Sequence, residues 1–489
     1  MDKDKIERKT VAGVAWKFLE RASSQVVTLF VSIVLARLLS PEEYGIIAMT
    51  MIFIALTEVF LTNGVGDALI QQAQYDARSF STMFYVSLGI SVLLYVILYV
   101  AAPYFGSLMN SDALPLVLRV LGLRLPFSAM YSIQQAYVSQ QMVFRKLFPS
   151  TLSGTVISGI VGLGLAYMGF GVWALVGQNM TAVVVRTASL HLLIPWRPTL
   201  VFDVAVFRRL FSFGWRVLVT NVISTVFSEM RGFFIGRFYS PADLAFANQG
   251  ARFPQLVAGN ISRSFSDTLF PAFSHLREDR KQLRGAASAA MTTGGFLVAG
   301  LMGVLAGTAE SLIHVVLTDK WIACVPYLQC VCVLELFSFL SVVNLQTLLG
   351  LGRADIVLKL ELIKKPMYFL LIAIGVMFSP LAIVALHAVY SIIGFCMNAV
   401  PNRRLIDYPL YDQLHDVLPS IFLALILAGL LQYTQYILPH ELFYLCIEGT
   451  VGIILYVALG KLCRLRGAEA LWQGAYTHIK NVRYRGDGN

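Results

Sequence analysis

The candidates for a binding function are four arginines that lie inside long apolar segments: Arg21, Arg231, Arg252 and Arg263. With a helical rise of about 1.5 Å per residue, the first three lie roughly 12 to 15 Å from a helix end. Arg252 and Arg263 are eleven residues apart, so they share almost the same helix face. A guanidinium stays charged when partly desolvated and offers forked donors that match phosphate or carboxylate oxygens. These positions therefore predict a cavity for an anionic ligand, and a lipid-linked pyrophosphate meets that requirement.

Four carboxylates accompany the arginines in the apolar segments: Glu58, Asp67, Glu229 and Asp267. Asp267 follows Arg263 by four residues, a spacing that allows an ion pair on one helix face. In one interpretation each carboxylate neutralises a neighbouring arginine and holds two helices together. In the other, one carboxylate, with Glu58 or Glu229 preferred, titrates or binds a cation and couples the protein to a Na⁺ or H⁺ gradient or to the membrane potential. The sequence leaves both interpretations open.

Enzyme chemistry is not indicated by the remaining reactive residue types. The histidines are scattered and show no HExxH or other metal-ligand spacing. The cysteines lie in or beside apolar segments, where they are interpreted as small core residues. The sequence also has no Walker motif. We therefore predict no catalytic residue, no metal site and no cofactor.

The composition predicts an integral membrane protein. Hydrophobic residues make up 57% of the 489 residues and charged residues only 13%. A soluble domain of this size has fewer hydrophobic and more charged residues. With about 20 residues per crossing, polar, Pro and Gly signals divide the chain into fourteen predicted helices. They cover residues 11–39, 42–71, 79–109, 112–141, 146–169, 171–194, 207–239, 241–274, 284–317, 322–351, 355–378, 381–400, 415–438 and 440–463.

The distribution of basic residues predicts the orientation of these helices. With the N-terminus inside, the inner segments hold 23 Lys and Arg, and the outer loops hold Lys320 alone. Because cytoplasmic loops carry an excess of Lys and Arg, both termini are predicted to be cytoplasmic. The net charge of +10 is explained by this bias, so it does not indicate nucleic-acid binding. Six further cations lie near predicted helix ends, where we expect their side chains to snorkel: Lys17, Arg37, Arg216, Arg237, Lys364 and Lys365.

An internal repeat predicts two similar halves. Seven residues recur at an offset of 200 without a gap, including Arg37, Ser40 and Pro41 in the first copy. Six predicted helices separate the two copies, so both cross in the same direction and form parallel repeats. The predicted organisation is an N-lobe at 1–194, a cytoplasmic linker at 195–206, a C-lobe at 207–400, two extra helices at 401–463 and a cytoplasmic tail at 464–489.

Three stretches carry a family resemblance: residues 34–45 (VLARLLSPEEYG), residues 269–274 (LFPAFS) with Lys281, Leu283 and Arg284 after them, and residues 319–321 (DKW) leading into Pro326 and residues 328–329. They resemble the polysaccharide-transporter family, and within it the colanic-acid and teichuronic-acid exporter branch of Wzx flippases. The similarity runs from about residue 8 to 405. It implies the fold of the multidrug/oligosaccharidyl-lipid/polysaccharide exporter superfamily, which is all-α with two six-helix lobes.

The resemblance also implies a function. Members of this family flip undecaprenyl-pyrophosphate-linked oligosaccharide repeat units from the cytoplasmic to the periplasmic leaflet of the bacterial inner membrane. The implied partners are that substrate, membrane lipid and a polysaccharide polymerase, and the implied functional unit is a monomer. A lipid II flippase and a multidrug or cation antiporter of the same superfamily remain the alternatives. The family's cavity is lined by its first, second, seventh and eighth helices, and the four candidate arginines lie on three of these.

Overall fold

The computed structural model describes residues 3–62, 65–70, 76–435 and 437–472, and these residues form an all-helical protein without a β-strand. The α-helices are α1 (Lys3–Leu38), α2 (Pro41–Thr62), α3 (Val65–Ile70), α4 (Ala77–Leu108), α5 (Leu114–Gly122), α6 (Arg124–Gln140), α7 (Leu147–Tyr167), α8 (Val172–Leu193), α9 (Val204–Phe238), α10 (Pro241–His275), α11 (Arg280–Gly307), α12 (Ala309–Val316), α13 (Val325–Gly350), α14 (Ala354–Val376), α15 (Pro380–Leu405), α16 (Leu410–Thr434) and α17 (Leu442–Leu462). The predicted all-α fold class is confirmed. Most of the predicted tail lies outside the described residues.

Helices occupy all fourteen predicted positions, and three of those positions hold a broken pair: α2 with α3, α5 with α6, and α11 with α12. Ten described segments are long and apolar enough to cross a membrane, or eleven if the two parts of α9 form one bent span. The chain is therefore a multi-pass membrane protein. Helices α8, α10 and α14 are long enough but too polar to qualify, so fourteen crossings stays a prediction.

The internal repeat is visible as the same local structure at the start of α2 and α10. The backbone N–H of Ser40 donates to the Glu43 carboxylate at 2.7 Å, and the Ser40 hydroxyl accepts from the Glu43 N–H at 3.3 Å. Ser240 and Asp243 exchange the equivalent two hydrogen bonds, each at 3.1 Å. Both copies thus begin with a capping box, which satisfies two free backbone donors of the helix.

The chain packs as two compact units, residues 1–245 and 246–489. The division falls inside α10, and α9 packs against α2, α3 and α4 within the first unit. The predicted lobes at 1–194 and 207–400 therefore remain a prediction from the repeat. The two compact units meet at residues 245 and 246, about forty residues after the predicted linker.

Within the second unit, α11 packs closely against α16 and α17 through a row of glycines. A Cβ atom at Gly303 would lie 2.8 Å from the Ala424 carbonyl oxygen, and one at Gly307 would lie 2.9 Å from the Ala428 backbone. Small residues at such spacing let two helix backbones approach in an apolar environment. The ends of α11 and α16 are consequently held side by side.

Candidate functional site

Helix α1 exposes two faces of opposite polarity. Lys17, Arg21 and Thr28 are exposed, and at 100° per residue they fall within about 40° of each other. Leu19 and Val26 are 46% and 68% exposed and lie on the opposite side of the helix. An apolar exposed face suits lipid, whereas a polar exposed face needs water. Arg21 therefore belongs to the face that suits an aqueous cavity.

Helix α9 carries a polar stripe of the same kind. Thr220, Ser224 and Ser228 are exposed at intervals of four residues, and Arg231 falls on the same arc. Glu229 is two residues from Arg231 and therefore projects about 160° away from it. Both side chains are partly buried. Arg231 thus shares the polar arc of α9, while Glu229 lies on the other side.

Helix α10 has its most polar surface in its second half. Asn260, Arg263, Ser264, Asp267 and Thr268 are all exposed, and their spacing places them on one face. No ion pair within 4.0 Å joins Arg263 and Asp267 among the described side chains, so the pairing that their spacing allows is not formed here. The face carries one accessible cation and one accessible anion.

The candidate arginines differ in how far the protein satisfies them. In the part of the chain that the structure describes, Arg21, Arg231 and Arg263 have no carboxylate within 4.0 Å and no hydrogen-bond partner. Arg252 is partly buried and does interact with its surroundings. Arg21 and Arg231 belong to the first unit, and Arg252 and Arg263 to the second.

Other intramembrane cations are held by the protein. Arg119 donates to the Tyr99 carbonyl at 3.2 Å and its guanidinium lies 4.6 Å from the Tyr99 ring centre. The Arg186 guanidinium lies 4.3 Å from the centre of the Tyr131 ring, a cation–π contact. These side chains have a structural role, which distinguishes them from Arg21, Arg231 and Arg263.

Among the carboxylates, Glu58 is held most firmly. Its Oε1 lies 3.0 Å from Nε of Arg124 and accepts a hydrogen bond from Ser128 at 2.8 Å. Glu58 stands out in the sequence as an intramembrane carboxylate, but its partners do not, because they lie on α6, about seventy residues away. Glu229 has neither an ion pair nor a hydrogen bond among the described residues. The side chain of Asp67 lies outside the described residues.

The expectation that Lys364 snorkels is wrong. Lys364 is only 7% exposed, and its Nζ lies 2.5 Å from Glu361 and 3.2 Å from Asn398. Gly394 on α15 faces the lysine stem, and a Cβ there would be in ordinary van der Waals contact with the Lys364 Cδ at 3.9 Å. Helix α15 therefore covers the Lys364 ammonium, which the sequence of α14 alone predicts to lie at the membrane interface.

No group of three or more His, Cys, Asp or Glu side chains is placed to hold a metal ion in the part of the chain that the structure describes.

The fold of this helical membrane protein is similar to that of a solved structure. The lipid II flippase MurJ in an inward closed conformation superposes with a TM-score of 0.74. The superposition covers 92% of this chain and 98% of MurJ at 14% sequence identity. At that identity the similarity defines the fold alone.

Residues 34–326 match the family described as polysaccharide biosynthesis protein, and the chain belongs to this family. The succinoglycan biosynthesis transport protein ExoT of Rhizobium meliloti (strain 1021) is 21% identical over 464 residues, 93% of each chain. The teichuronic acid biosynthesis protein TuaB of Bacillus subtilis (strain 168) is 22% identical over 468 residues, 94% of this chain and 95% of TuaB. The family resemblance inferred from the three sequence motifs is confirmed.

Proposed function

We propose that this protein flips undecaprenyl-pyrophosphate-linked oligosaccharide repeat units from the cytoplasmic to the periplasmic leaflet. The units would serve the synthesis of a surface polysaccharide such as O-antigen, capsule or exopolysaccharide. The observation that carries the proposal is that Arg21, Arg231 and Arg263 lie on polar helix faces without a carboxylate partner among the described residues. The names of the relatives, a succinoglycan transport protein and a teichuronic acid biosynthesis protein, support the substrate class.

Placing these arginines inside a membrane costs free energy. An arginine at the centre of a membrane helix costs about 2.5 to 3.5 kcal/mol on insertion scales. A protein keeps such a charge where water, a partner or a ligand stabilises it. A pyrophosphate offers oxygens that guanidinium groups bind bidentately. Cationic drugs would instead require available carboxylates; Glu58 is already bound to Arg124, whereas Glu229 and Asp267 have no ion pair among the described side chains.

The proposed setting is the bacterial inner membrane, with both termini in the cytoplasm and the linker at 195–206 between two lobes. Alternating access by these lobes would move the pyrophosphate and sugars past the arginines while the lipid tail stays in the bilayer. We propose a monomer as the functional unit, working with a polysaccharide polymerase. Secondary-active transport is part of the same proposal.

For coupling to a Na⁺ or H⁺ gradient or to the membrane potential, we propose Glu229 ahead of Glu58. Glu229 lies on α9, the same helix as Arg231, and has no ion pair among the described side chains. Asp67 and Asp267 remain candidates for coupling or for ion pairs. Glu229→Gln should abolish the response of transport to an imposed gradient and leave downhill flipping in place. A full gradient response in this variant would remove Glu229 from the proposal.

The test is a proteoliposome assay that measures the leaflet accessibility of the lipid-linked oligosaccharide, with lipid II in parallel. Arg263→Ala should reduce flipping of the oligosaccharide lipid by about tenfold or more, because a charge-assisted contact contributes about 1.5 to 3 kcal/mol. Arg119→Ala is the matched control, since it removes one intramembrane positive charge that the protein already binds. The control should retain flipping.

Four outcomes are informative. Flipping of the oligosaccharide lipid that is lost in Arg263→Ala and kept in Arg119→Ala supports the proposal. Activity on lipid II alone would assign the protein to peptidoglycan synthesis. Inactivity of the folded protein on both lipids would favour the multidrug or cation antiporter, and wild-type transport by Arg263→Ala would remove that residue from the site.

A further inference from the structure

Helix α17 contains a buried carboxylate that the proposed transport path does not use. Glu448 is 4% exposed, and it is the one acidic residue inside the apolar run 442–460. Its Oε1 accepts a hydrogen bond from the Thr434 hydroxyl at 2.9 Å. Its Oε2 is buried and receives no donor from the described residues. A buried carboxylate oxygen without a partner is unfavourable in an apolar environment.

The Thr434 hydroxyl does not fully satisfy this carboxylate. It lies 2.7 Å from the Leu431 carbonyl oxygen as well as 2.9 Å from Glu448. A hydroxyl has one hydrogen, so it donates to only one of these acceptors at a time. Whenever it donates to the carbonyl, Glu448 has no donor at all among the described residues. The hydroxyl oxygen then faces the carboxylate as a second acceptor, so that both oxygens lack a donor.

A second buried acceptor oxygen without a donor belongs to the residue that follows Thr434. Gln435 follows Thr434 and is 6% exposed, and its Nε2 donates to the Gly307 carbonyl. Its Oε1 is buried, and no donor of the described residues reaches it. Thr434 thus contacts Glu448 of α17, and the next residue, Gln435, contacts the end of α11, so that hydroxyl, carboxylate and amide groups occur on neighbouring residues of these helices.

The end of helix α16 adds to the negative potential at this position. Helix α16 ends at Thr434, whereas the end of α11 at Gly307 is followed directly by the start of α12 at Ala309. The C-terminus of a helix carries a partial negative charge of about half an elementary charge, which favours a cation. Among the described residues, no Lys, Arg or His lies within 4.0 Å of the Glu448 carboxylate. His440, in the loop that precedes α17, forms a hydrogen bond with Ser311 at 3.0 Å.

We propose that Glu448, Gln435 and Thr434 form a binding site for a monovalent metal cation, of which Na⁺ is the biological representative. Hard cations prefer oxygen ligands, and the site supplies carboxylate, amide and hydroxyl oxygens. Its single carboxylate matches one positive charge. The cation would pin α17 to the adjoining ends of α11 and α16. The proposal is independent of flipping, because it concerns binding by the protein without substrate.

The test uses the full chain purified in detergent, and thermal unfolding is followed by tryptophan fluorescence. NaCl replaces choline chloride at constant ionic strength. A ligand that binds only the folded state raises Tm as its concentration exceeds its Kd. We expect Tm to rise with Na⁺ concentration in the wild type and this rise to disappear in Glu448→Gln. Glu441→Gln is the matched control, since it removes the same charge from the exposed start of α17.

A second variant keeps the test decisive if Glu448→Gln does not fold. Gln435→Ala retains the carboxylate and removes one ligand oxygen, so the apparent Na⁺ affinity should fall about tenfold. A wild-type Tm that is the same in NaCl and choline chloride would overturn the proposal. So would an undiminished Na⁺ response in folded Glu448→Gln, or a Tm that responds to pH and not to Na⁺, which would assign a proton to Glu448.

Discussion

The ion pair between Glu58 and Arg124 decides whether Glu58 is a structural or a coupling residue. The two side chains are 23% and 15% exposed, and Nε of Arg124 lies 3.0 Å from the carboxylate. Ser128 donates to the same oxygen at 2.8 Å. Three variants test the pair. Glu58→Gln and Arg124→Gln each remove one charge, and the double variant removes both.

The magnitude follows from burial and from which partner is left behind. Breaking a fully buried pair costs about 3 to 5 kcal/mol, and the partial exposure of both side chains reduces this to about 2 to 3 kcal/mol for Arg124→Gln. Glu58→Gln should cost about 1 to 2 kcal/mol because Ser128 still has an acceptor. The double variant should be more stable than the sum of the single variants by about 1 to 2 kcal/mol, a coupling typical of contacting charges.

The assay has two readouts, the Tm of all four proteins and gradient-driven flipping in proteoliposomes. If the pair is structural, the double variant keeps its response to the gradient while the single variants lose stability. A coupling free energy below about 0.5 kcal/mol would refute the ion pair, since distant sites are additive to that level. A folded double variant that flips without responding to the gradient would refute the structural role and return Glu58 to ion coupling.

Three further predictions concern stability. Gly45→Ala should destabilise the packing between the starts of α2 and α10 by about 1 to 3 kcal/mol, because its Cβ would lie 1.9 Å from the backbone oxygen of Pro241. An unchanged Tm would contradict this. Lys364→Ala should cost about 1 to 3 kcal/mol, as Glu361 is 39% exposed, and Lys364→Met with Glu361→Gln should recover most of the lost Tm; failure to recover it would argue against the pair. Asp76→Ala should cost about 1 kcal/mol as a lost helix cap. The hydrogen bond from Ser79 holds the pKa of Asp76 below its ordinary 3.8, so this contribution is present above that pH and is lost as the pH falls through the lowered pKa; Tm measured against pH should show an acid-dependent difference between the two proteins, and parallel curves would contradict it.

The helices and their caps could be predicted from the sequence because their causes are local. Apolar runs of about 20 residues mark a membrane helix whatever packs against it. Ser40 and Ser240, each followed three residues later by an acid, fix the start of a helix by bonds within one turn. The polar face that holds Arg263 is likewise a matter of spacing along one helix.

The pairing of charges was decided by the tertiary structure. Arg124 and Glu58 meet because α6 packs against α2, and Lys364 is buried because α15 covers it. In a membrane, every intramembrane charge needs a partner or water, but which helix supplies the partner depends on packing between distant segments. Glu448 illustrates this, since its environment comes from the ends of two other helices. The sequence by itself determined the class of protein, its helices and the candidate arginines, whereas only the tertiary structure determined which charges are satisfied, because that depends on distances between residues far apart in the chain.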